Sequence, residues 1–524
     1  MWVILLIDSY ASILTADNLF GNRKCLYISN DQNSENNLLL GQVGIELLFP
    51  ILFIIYFLIS ITFAITVVFL ERRNIGATWA WLMVLFFLPG LGFLIYLLLG
   101  QNLSRRKIYK IQEDQIKFVE SFIEEQLAEL PNTSFNDPEA HRYTDMIYMN
   151  MKTAYSVYTQ NNEVEIFTNG QAKFNSLFKS IEEATDHIHL MYYIVHDGLL
   201  GRSLIEILAQ KAADGLQVRF LYDDVGSKDL PRHFFDKLKD AGGEVVAFFP
   251  SKIPYFNLRV NYRNHRKLAI IDGTQGYIGG FNIGDEYLGL DPFFGYWRDT
   301  HLKITGTGVL QMQAQFGLDW NLSSEKKIAT NLRYFPTIET IGQVGLQIVS
   351  SGPNQSEEQI ENAYVKMIHT AKKSIYLQSP YFIPDESLIT AIKIAAYSGV
   401  HVKLMLPAKG DNKWVQWASF SYLTELLDAG VECYLYEKGF LHAKTMVIDG
   451  RISSVGTANL DNRSLKLNFE VNAFIYDSEI ALRLEGIYND DLKSCRRLTL
   501  AEHNKRPLSR KVKESIARLL SPIL

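Results

Sequence analysis

The sequence predicts an α/β protein of two similar lobes, each a mixed sheet flanked by helices, related by a pseudo-twofold and preceded by a transmembrane helical hairpin. Three observations lead there. Two runs near the N-terminus, Leu47 to Leu70 and Ile75 to Gly100, carry no charged residue, and each is long enough to cross about 30 Å of hydrocarbon as a helix. A strand, helix, strand order then occurs twice, the signature of a βαβ unit with a parallel pair. Finally, NHRKLAIIDG at 264–273 and LHAKTMVIDG at 441–450 share one skeleton: His-x-Lys, an apolar run, then Asp-Gly.

In chain order, residues 1–42 form an N-terminal extension whose run WVILLI, Trp2 to Ile7, is too brief to span a membrane and lacks the basic flank of a signal peptide. Residues 43–100 hold the hairpin, with spans at about 47–70 and 76–99, only ERRN between the runs, and a kink or break expected at Pro89-Gly90. Arg105, Arg106, Lys107, Lys110 and Lys117 follow the second span, against Arg72 and Arg73 in the hairpin loop, so the positive-inside rule puts the C-terminal part in the cytoplasm. Residues 101–160 read as a polar connector.

The first lobe is expected over 161–345. HIHLMYYIV (187–195) alternates as a strand, LIEILAQKAADG is an amphipathic helix ending at Gly215, and LQVRFLYDDVGS is a second strand. The second lobe, 346–524, repeats the order with SIYLQSPYFIPD (374–385), LITAIKIAAYSG ending at Gly399, and VHVKLMLPAKG. It closes on an amphipathic helix that places Val512, Ile516, Leu519, Leu520 and Ile523 on one face, expected to dock on the globular domain rather than enter the membrane.

Composition removes some functions. Across 524 residues the net charge is -5 and the pI about 6.2, which lacks the basic excess of a protein that neutralises nucleic-acid phosphates. Cys25, Cys433 and Cys495 have no CxxC spacing, so neither a disulfide framework nor a zinc site is indicated.

The doubled motif carries the chemistry. On a strand, His265 and Lys267 project from one face, as do His442 and Lys444, and Ala269 and Ile271 continue that face inward. Asp272-Gly273 and Asp449-Gly450 are hairpin signals, so YIGGFN and SVGTAN return antiparallel. A turn centred on Asp-Gly sets Gly280 and Thr457 opposite the histidines, with Asn282 and Asn459, each seventeen places after its histidine, just beyond. The pseudo-twofold then brings both corners to one lobe interface. Two lysines and two asparagine amides make a donor-rich, positive pocket suited to phosphate oxygens, and two imidazoles supply a nucleophile and a proton donor. The lysines take the charge-stabilising part that Mg²⁺ plays in nucleotide-dependent phosphoryl transfer, so no metal or other cofactor is expected. Asp272 and Asp449, an odd number of residues from their histidines, read as turn and scaffold residues. His187 and His189 read as surface or packing residues, and His301 is unassigned.

The stretches HRKLAIIDGTQGYIGGFNIGDEY and HAKTMVIDGRISSVGTANLDNRSLKLNFEVN resemble the phospholipase D superfamily. With the hairpin, YWRDTH at 296–301, QSPYFIPD and the apolar tail, the arrangement resembles the bacterial cardiolipin synthases over nearly everything after about residue 41. The resemblance implies two phospholipase D-like lobes and a metal-free transfer of a phosphatidyl group between two phosphatidylglycerol molecules, through a phosphohistidine, at the bacterial cell membrane. A hydrolase or transphosphatidylase using water or another alcohol is the alternative, because it shares every catalytic residue. The partners implied are phosphatidylglycerol and membrane phospholipid, not nucleic acid, and the pattern carries no signal for an oligomeric state. By resemblance His265 is the nucleophile and His442 the acid/base, in an order open to exchange, and Lys267, Lys444, Asn282 and Asn459 hold the phosphate. Glu470, twenty-eight residues after His442, matches the family's carboxylate that orients the catalytic imidazole. The same offset in the first half falls on Phe293, so Asp299 is taken as the substitute, and Thr457 is expected to add a hydroxyl to the phosphate site where the first half offers only Gly280.

Overall fold

The computed structural model describes residues 113–250, 261–328, 331–338, 342–355 and 357–521, with pieces of 50–96. The chain divides into two compact units, Met1–Phe93 and Leu94–Leu524. In the first, Ile75–Phe87 is an uncharged α-helix of 13 residues whose Trp79, Met83 and Phe86 side chains are exposed. At 1.5 Å per residue it rises about 20 Å, and no described helix is long and apolar enough to cross a membrane. The expected spans at 47–70 and 76–99 lie partly outside the described residues, as do Pro89-Gly90 and all of 1–42.

In the second unit 15 of the described strands form one sheet, whose order displays the duplication, and two further pairs stand apart from it. From the centre outward the first half runs Thr159–Phe167, His301–Thr305, Gln275–Gly279, Leu268–Ile271, His187–Tyr192, Gln217–Asp223, Glu244–Phe248. The second half runs Val344–Ser351, Glu470–Ile475, Ile452–Gly456, Thr445–Ile448, Ser374–Gln378, His401–Pro407, Glu432–Tyr436, with Cys495–Leu498 added at its edge. Seven strands therefore repeat in one order. The central strands of the halves pair antiparallel, Thr159 opposite Leu346 and Asn162 opposite Val344. That pairing leaves no open edge between lobes, so the two expected domains share one sheet. The parallel strands sit between helices such as Leu199–Ala213, which stops at Gly215 because its φ of +94° suits a residue without Cβ. A shared core takes Leu268, Ile270 and Ile278 from one half and Val447, Val455 and Val471 from the other.

Three expectations change here. The connector, read as polar and helix-prone, is helical over Glu113–Glu129 and Thr144–Ala154, but it sends Ile123, Met146, Ile147 and Met151 into the core of the second lobe rather than only linking to it. Its apolar residues are sparse but helically spaced, which composition alone hides. The Asp-Gly turns are also one residue longer than expected. Asp272 (φ 53°) and Gly273 (φ 67°) turn the chain, Thr274 N–H closes on Ile271 O at 3.1 Å, and the ladder starts only at Ile271 opposite Gln275. Asp449, Gly450 and Arg451 do the same before Ile448 pairs with Ile452. Each return strand is thus shifted by one position. Continuing the register places Phe281 and Ala458, rather than Gly280 and Thr457, across from the histidines.

The tail helix, Leu508–Leu519, docks with the wrong face for the expectation. Glu514 and Ala517 are buried while Leu508, Val512, Ile516, Leu519 and Leu520 are exposed, and Ile523 lies outside the described residues. Glu514 receives Arg506 and Arg510, and Arg518 pairs with Glu425 at 2.9 Å. Ala517, buried in the core of the lobe, and the Arg518–Glu425 pair set the helix's rotation.

Candidate active site

His265 and Lys267 lie just before the strand Leu268–Ile271, and His442 and Lys444 just before Thr445–Ile448, not on the strands themselves. Their backbone is extended but bonded across the lobe interface. His265 N–H donates to Phe469 O at 2.9 Å, and His442 N–H donates to Arg298 O at 2.7 Å. The residue that follows each acceptor bears a carboxylate. Glu470 holds His265 Nδ1, at 2.9 Å from Oε1 and 3.0 Å from Oε2, and Asp299 Oδ2 holds His442 Nδ1 at 2.6 Å. One two-point clamp, backbone carbonyl then carboxylate, is therefore built twice, each time from the opposite half.

Chain distance from a histidine does not reveal this exchange. Glu470 lies closer in sequence to His442, and Asp299 to His265, but each serves the other. The parallel pairing of Gly439–Leu441 with Tyr296–Arg298, and the bridge between Asn264 and Phe469, force the exchange by running each carboxylate segment beside the other half's histidine segment. Buried arginines then fix the carboxylate backbones. Arg266 donates to Glu470 O at 3.0 Å and is itself held by Asp319, and Arg298 reaches Asp299 O while pairing with Asp491 at 2.8 Å. The pairings of Arg266 with Asp319 and of Arg298 with Asp491 have no local sequence signal, because those partners are remote in the chain.

Both carboxylates can only accept, so each imidazole places its proton on Nδ1 and leaves the Nε2 lone pair free. The rings are nearly buried, His265 at 8% exposure and His442 at 7%. Tyr193 packs edge-on to His265 at 4.8 Å, and Trp297 packs against His442 at 5.1 Å. Lys267 and Lys444 are buried, and each ammonium donates to the carbonyl of its own motif's histidine at 2.5 Å. The halves share one field: Lys444 acts on His265, and Lys267 acts on His442.

Burial disfavours all four cations, and the pull of Glu470 and Asp299 offsets it only in part. It lowers Lys267 to about 7 and Lys444 to about 8. It lowers His265 to about 4 and His442 to about 3, against the opposing pull of Glu470 and Asp299. Burial would raise the two carboxylates, but Lys444 and His442 outweigh it at Asp299, and His265 and Lys267 outweigh it at Glu470, so both are held below their usual values. The site thus holds two carboxylate anions beside imidazoles that are neutral near pH 7.

The remaining expected residues divide. Asn282 is near Ile194 and Tyr287, accepting from the first N–H at 3.1 Å and donating to the second hydroxyl at 3.0 Å, which leaves one amide N–H for a ligand. Asn459 Oδ1 is buried with no hydrogen-bond partner among the described residues. Thr457 does not offer its hydroxyl to a phosphate: it donates to Glu470 Oε2 at 2.5 Å and accepts from Val471 N–H at 3.0 Å. Its counterpart Gly280 has a matching reason to lack a side chain, since a Cβ there would overlap the Asp299 carboxylate. Asp272 accepts from the N–H groups of Thr185, Asp186 and His187, and Asp449 from those of Lys372, Lys373 and Ser374; both tie a hairpin to the neighbouring strand. His187 and His189 are fully buried rather than at the surface, His189 stacking on Phe316 at 4.6 Å. His301 is buried on a strand, and neither ring nitrogen has a hydrogen-bond partner among the described residues.

Comparison with known proteins agrees with this architecture. The family described as "Cardiolipin synthase, PLD-like domain" matches residues 177–293 and 364–492, one segment in each half, and "Phospholipase_D-nuclease N-terminal" matches 52–101. The chain is 50% identical over 477 residues to the major cardiolipin synthase ClsA of Bacillus subtilis, covering 90% of this chain and 99% of that one. It is 51% identical to a cardiolipin synthase of Listeria monocytogenes, with the same coverage. In fold it is similar to the crystal structure of phosphatidylserine synthase from Haemophilus influenzae, at a TM-score of 0.56 and 15% identity, covering 72% of this chain and 100% of that one. Two repeats in one sheet and half-identical relatives along nine-tenths of the sequence make this chain a member of the cardiolipin synthase family within the phospholipase D superfamily.

Proposed function

We propose that this enzyme is a cardiolipin synthase that joins two phosphatidylglycerol molecules, releasing glycerol. The observation that carries the reading is the pair of clamped imidazoles, each with Nδ1 on a buried carboxylate and Nε2 free, beside two lysines. His265 Nε2 attacks phosphorus and the P–O bond to glycerol breaks. His442, protonated on Nε2 once the phosphate anion has raised its pKa, gives that proton to the departing oxygen. Neutral again, His442 takes the proton from a hydroxyl of the second phosphatidylglycerol, whose oxygen attacks phosphorus and displaces His265. Lys267, Lys444 and the amides of Asn282 and Asn459 hold the non-bridging oxygens. Asp299 and Glu470 keep each ring in the Nδ1–H tautomer and stabilise the cation that forms on it.

The exposed apolar side chains of Ile75–Phe87 and the uncharged runs around it support a membrane anchor of two spans, with the catalytic part cytoplasmic. Incubating the full chain in vesicles with phosphatidylglycerol alone should yield cardiolipin and free glycerol in equal amounts. Phosphatidic acid without cardiolipin would sink the synthase reading in favour of a hydrolase.

The lowered lysines set a pH dependence. A phosphate anion needs both ammonium groups charged, and Lys267 and Lys444 lose their protons near 7 and 8. kcat/KM, which reports the free enzyme, should therefore fall as pH rises through 7 to 8. The bound anion raises every nearby cation, so the alkaline limb of kcat should lie higher, by on the order of one unit. Coincident limbs, or a kcat/KM that climbs through this range, would contradict buried lysines as the anion holders.

A further inference from the structure

The tail helix turns an apolar stripe away from the protein. Leu508, Val512, Ile516 and Leu519 recur at i, i+4, i+8 and i+11, and are exposed at 76%, 48%, 48% and 80%. The opposite face is already satisfied: Ala517 is buried in the core of the lobe, Arg506 from the preceding segment pairs with Glu514, Arg518 pairs with Glu425 at 2.9 Å, and Tyr422 Oη donates to Ser521 Oγ at 3.0 Å. Rotation of the stripe inward would break those contacts. Cations border it. Lys513 lies over Trp417 at 5.2 Å and Arg518 over Tyr422 at 4.2 Å, each with its apolar stem along the surface.

The same surface continues to the active site. Trp417 meets Trp414 at 5.3 Å, and Trp414, 47% exposed, sits in the first turn of the helix Lys413–Asp428 beside Asp411, whose charge acts on Lys444. From the other half Phe293 is 57% exposed, with Lys409 over its ring at 3.7 Å. Phe293 leads inward through Phe294 at 4.9 Å and Trp297 at 5.2 Å to His442 at 5.1 Å. Exposed rings and lysines from both halves thus stand near the lysine and histidine of the second motif.

We propose that this stripe and the Trp414 and Phe293 rim form a docking surface for an anionic phospholipid bilayer. Leucine, isoleucine and valine enter the boundary between headgroups and acyl chains, tryptophan and phenylalanine take the interface, and Lys409 and Lys513 meet lipid phosphates. Charge complementarity selects this occupant over a protein: an apolar stripe with basic flanks fits a surface that is greasy within and negative at its edge. The surface would hold the site's mouth at the headgroup level, where the substrate's phosphate lies. Its benefit to catalysis rests on the lipid-substrate reading above, but its location on a bilayer does not.

The test uses the full chain in phosphatidylcholine vesicles containing phosphatidylglycerol, carrying Ile516→benzoylphenylalanine, with adducts read by mass spectrometry after irradiation. Lipid adducts are expected, and none from Asp240→benzoylphenylalanine, which lies beside the opposite edge strand Glu244–Phe248. Adducts of position 516 with residues 1–49, with a second copy, or with no lipid at all would overturn the proposal. A companion variant, Val512→Ser with Ile516→Ser and Leu519→Ser, retains every docking contact of the helix. It should lose about tenfold of its rate on bilayer phosphatidylglycerol and stay within about twofold on a short-chain monomeric one; equal loss on both would mean a folding defect and sink the idea. Failure of the synthase reading shows separately, as wild type that makes no cardiolipin, because the adduct readout needs no turnover.

Discussion

His265→Ala and His442→Ala should each lower turnover by about 10⁴-fold or more while the protein keeps its fold, because each removes a bond-making or proton-carrying atom rather than a packing group. The rings sit at the lobe interface with their clamping carboxylates, so a folding check by near-ultraviolet circular dichroism belongs beside the rate. The two variants should differ in what they accumulate. Without His442 the first transfer to an activated substrate still proceeds, and a phosphatidyl group should be found on His265 by mass spectrometry. An adduct on His442 in the His265→Ala protein would exchange the two roles without disturbing the site.

The second large effect follows from the exchanged carboxylates. Glu470→Gln should impair the nucleophile and Asp299→Asn the acid, each by about 10³-fold, since losing the anion unsettles the tautomer and the imidazolium of the ring it holds. Leaving-group chemistry separates them. With a p-nitrophenyl phosphatidyl ester, whose leaving group departs unprotonated, Asp299→Asn should recover to within about tenfold of wild type in release of p-nitrophenol. Glu470→Gln should not, because attack on phosphorus is still slow. Recovery by Glu470→Gln alone would mean that His265 is the acid and His442 the nucleophile, which the adduct experiment checks independently. Gly280→Ala should copy Asp299→Asn, since its Cβ occupies the volume of that carboxylate.

The duplicated residues were legible in the sequence because they are local. HRKLAIIDG and HAKTMVIDG each hold a histidine and lysine two apart, a buried strand and a turn, and those depend only on neighbours along the chain. Four of the seven repeated strands were legible for the same reason, as a run of strand, helix, strand and a hairpin in each half. Even here the turn hid a residue: Thr274 and Arg451 lengthen the loops by one, and with period-two strands that single position decides what faces what.

What the sequence by itself determined was therefore the repeated fold and the paired His, Lys and Asn residues. Tertiary structure alone decided which carboxylate holds which histidine, why Thr457 serves Glu470 rather than a phosphate, and which way the tail helix faces. The reason is physical. A carboxylate pairs with whatever ring the packed chain brings within hydrogen-bond reach, and here crossed segments at the lobe interface bring Glu470 to His265 and Asp299 to His442. An apolar stripe likewise fixes that a helix is amphipathic, not what covers it: the burial of Ala517 and the pairing of Arg518 with Glu425 hold the other side inward and leave Val512 and Ile516 facing out.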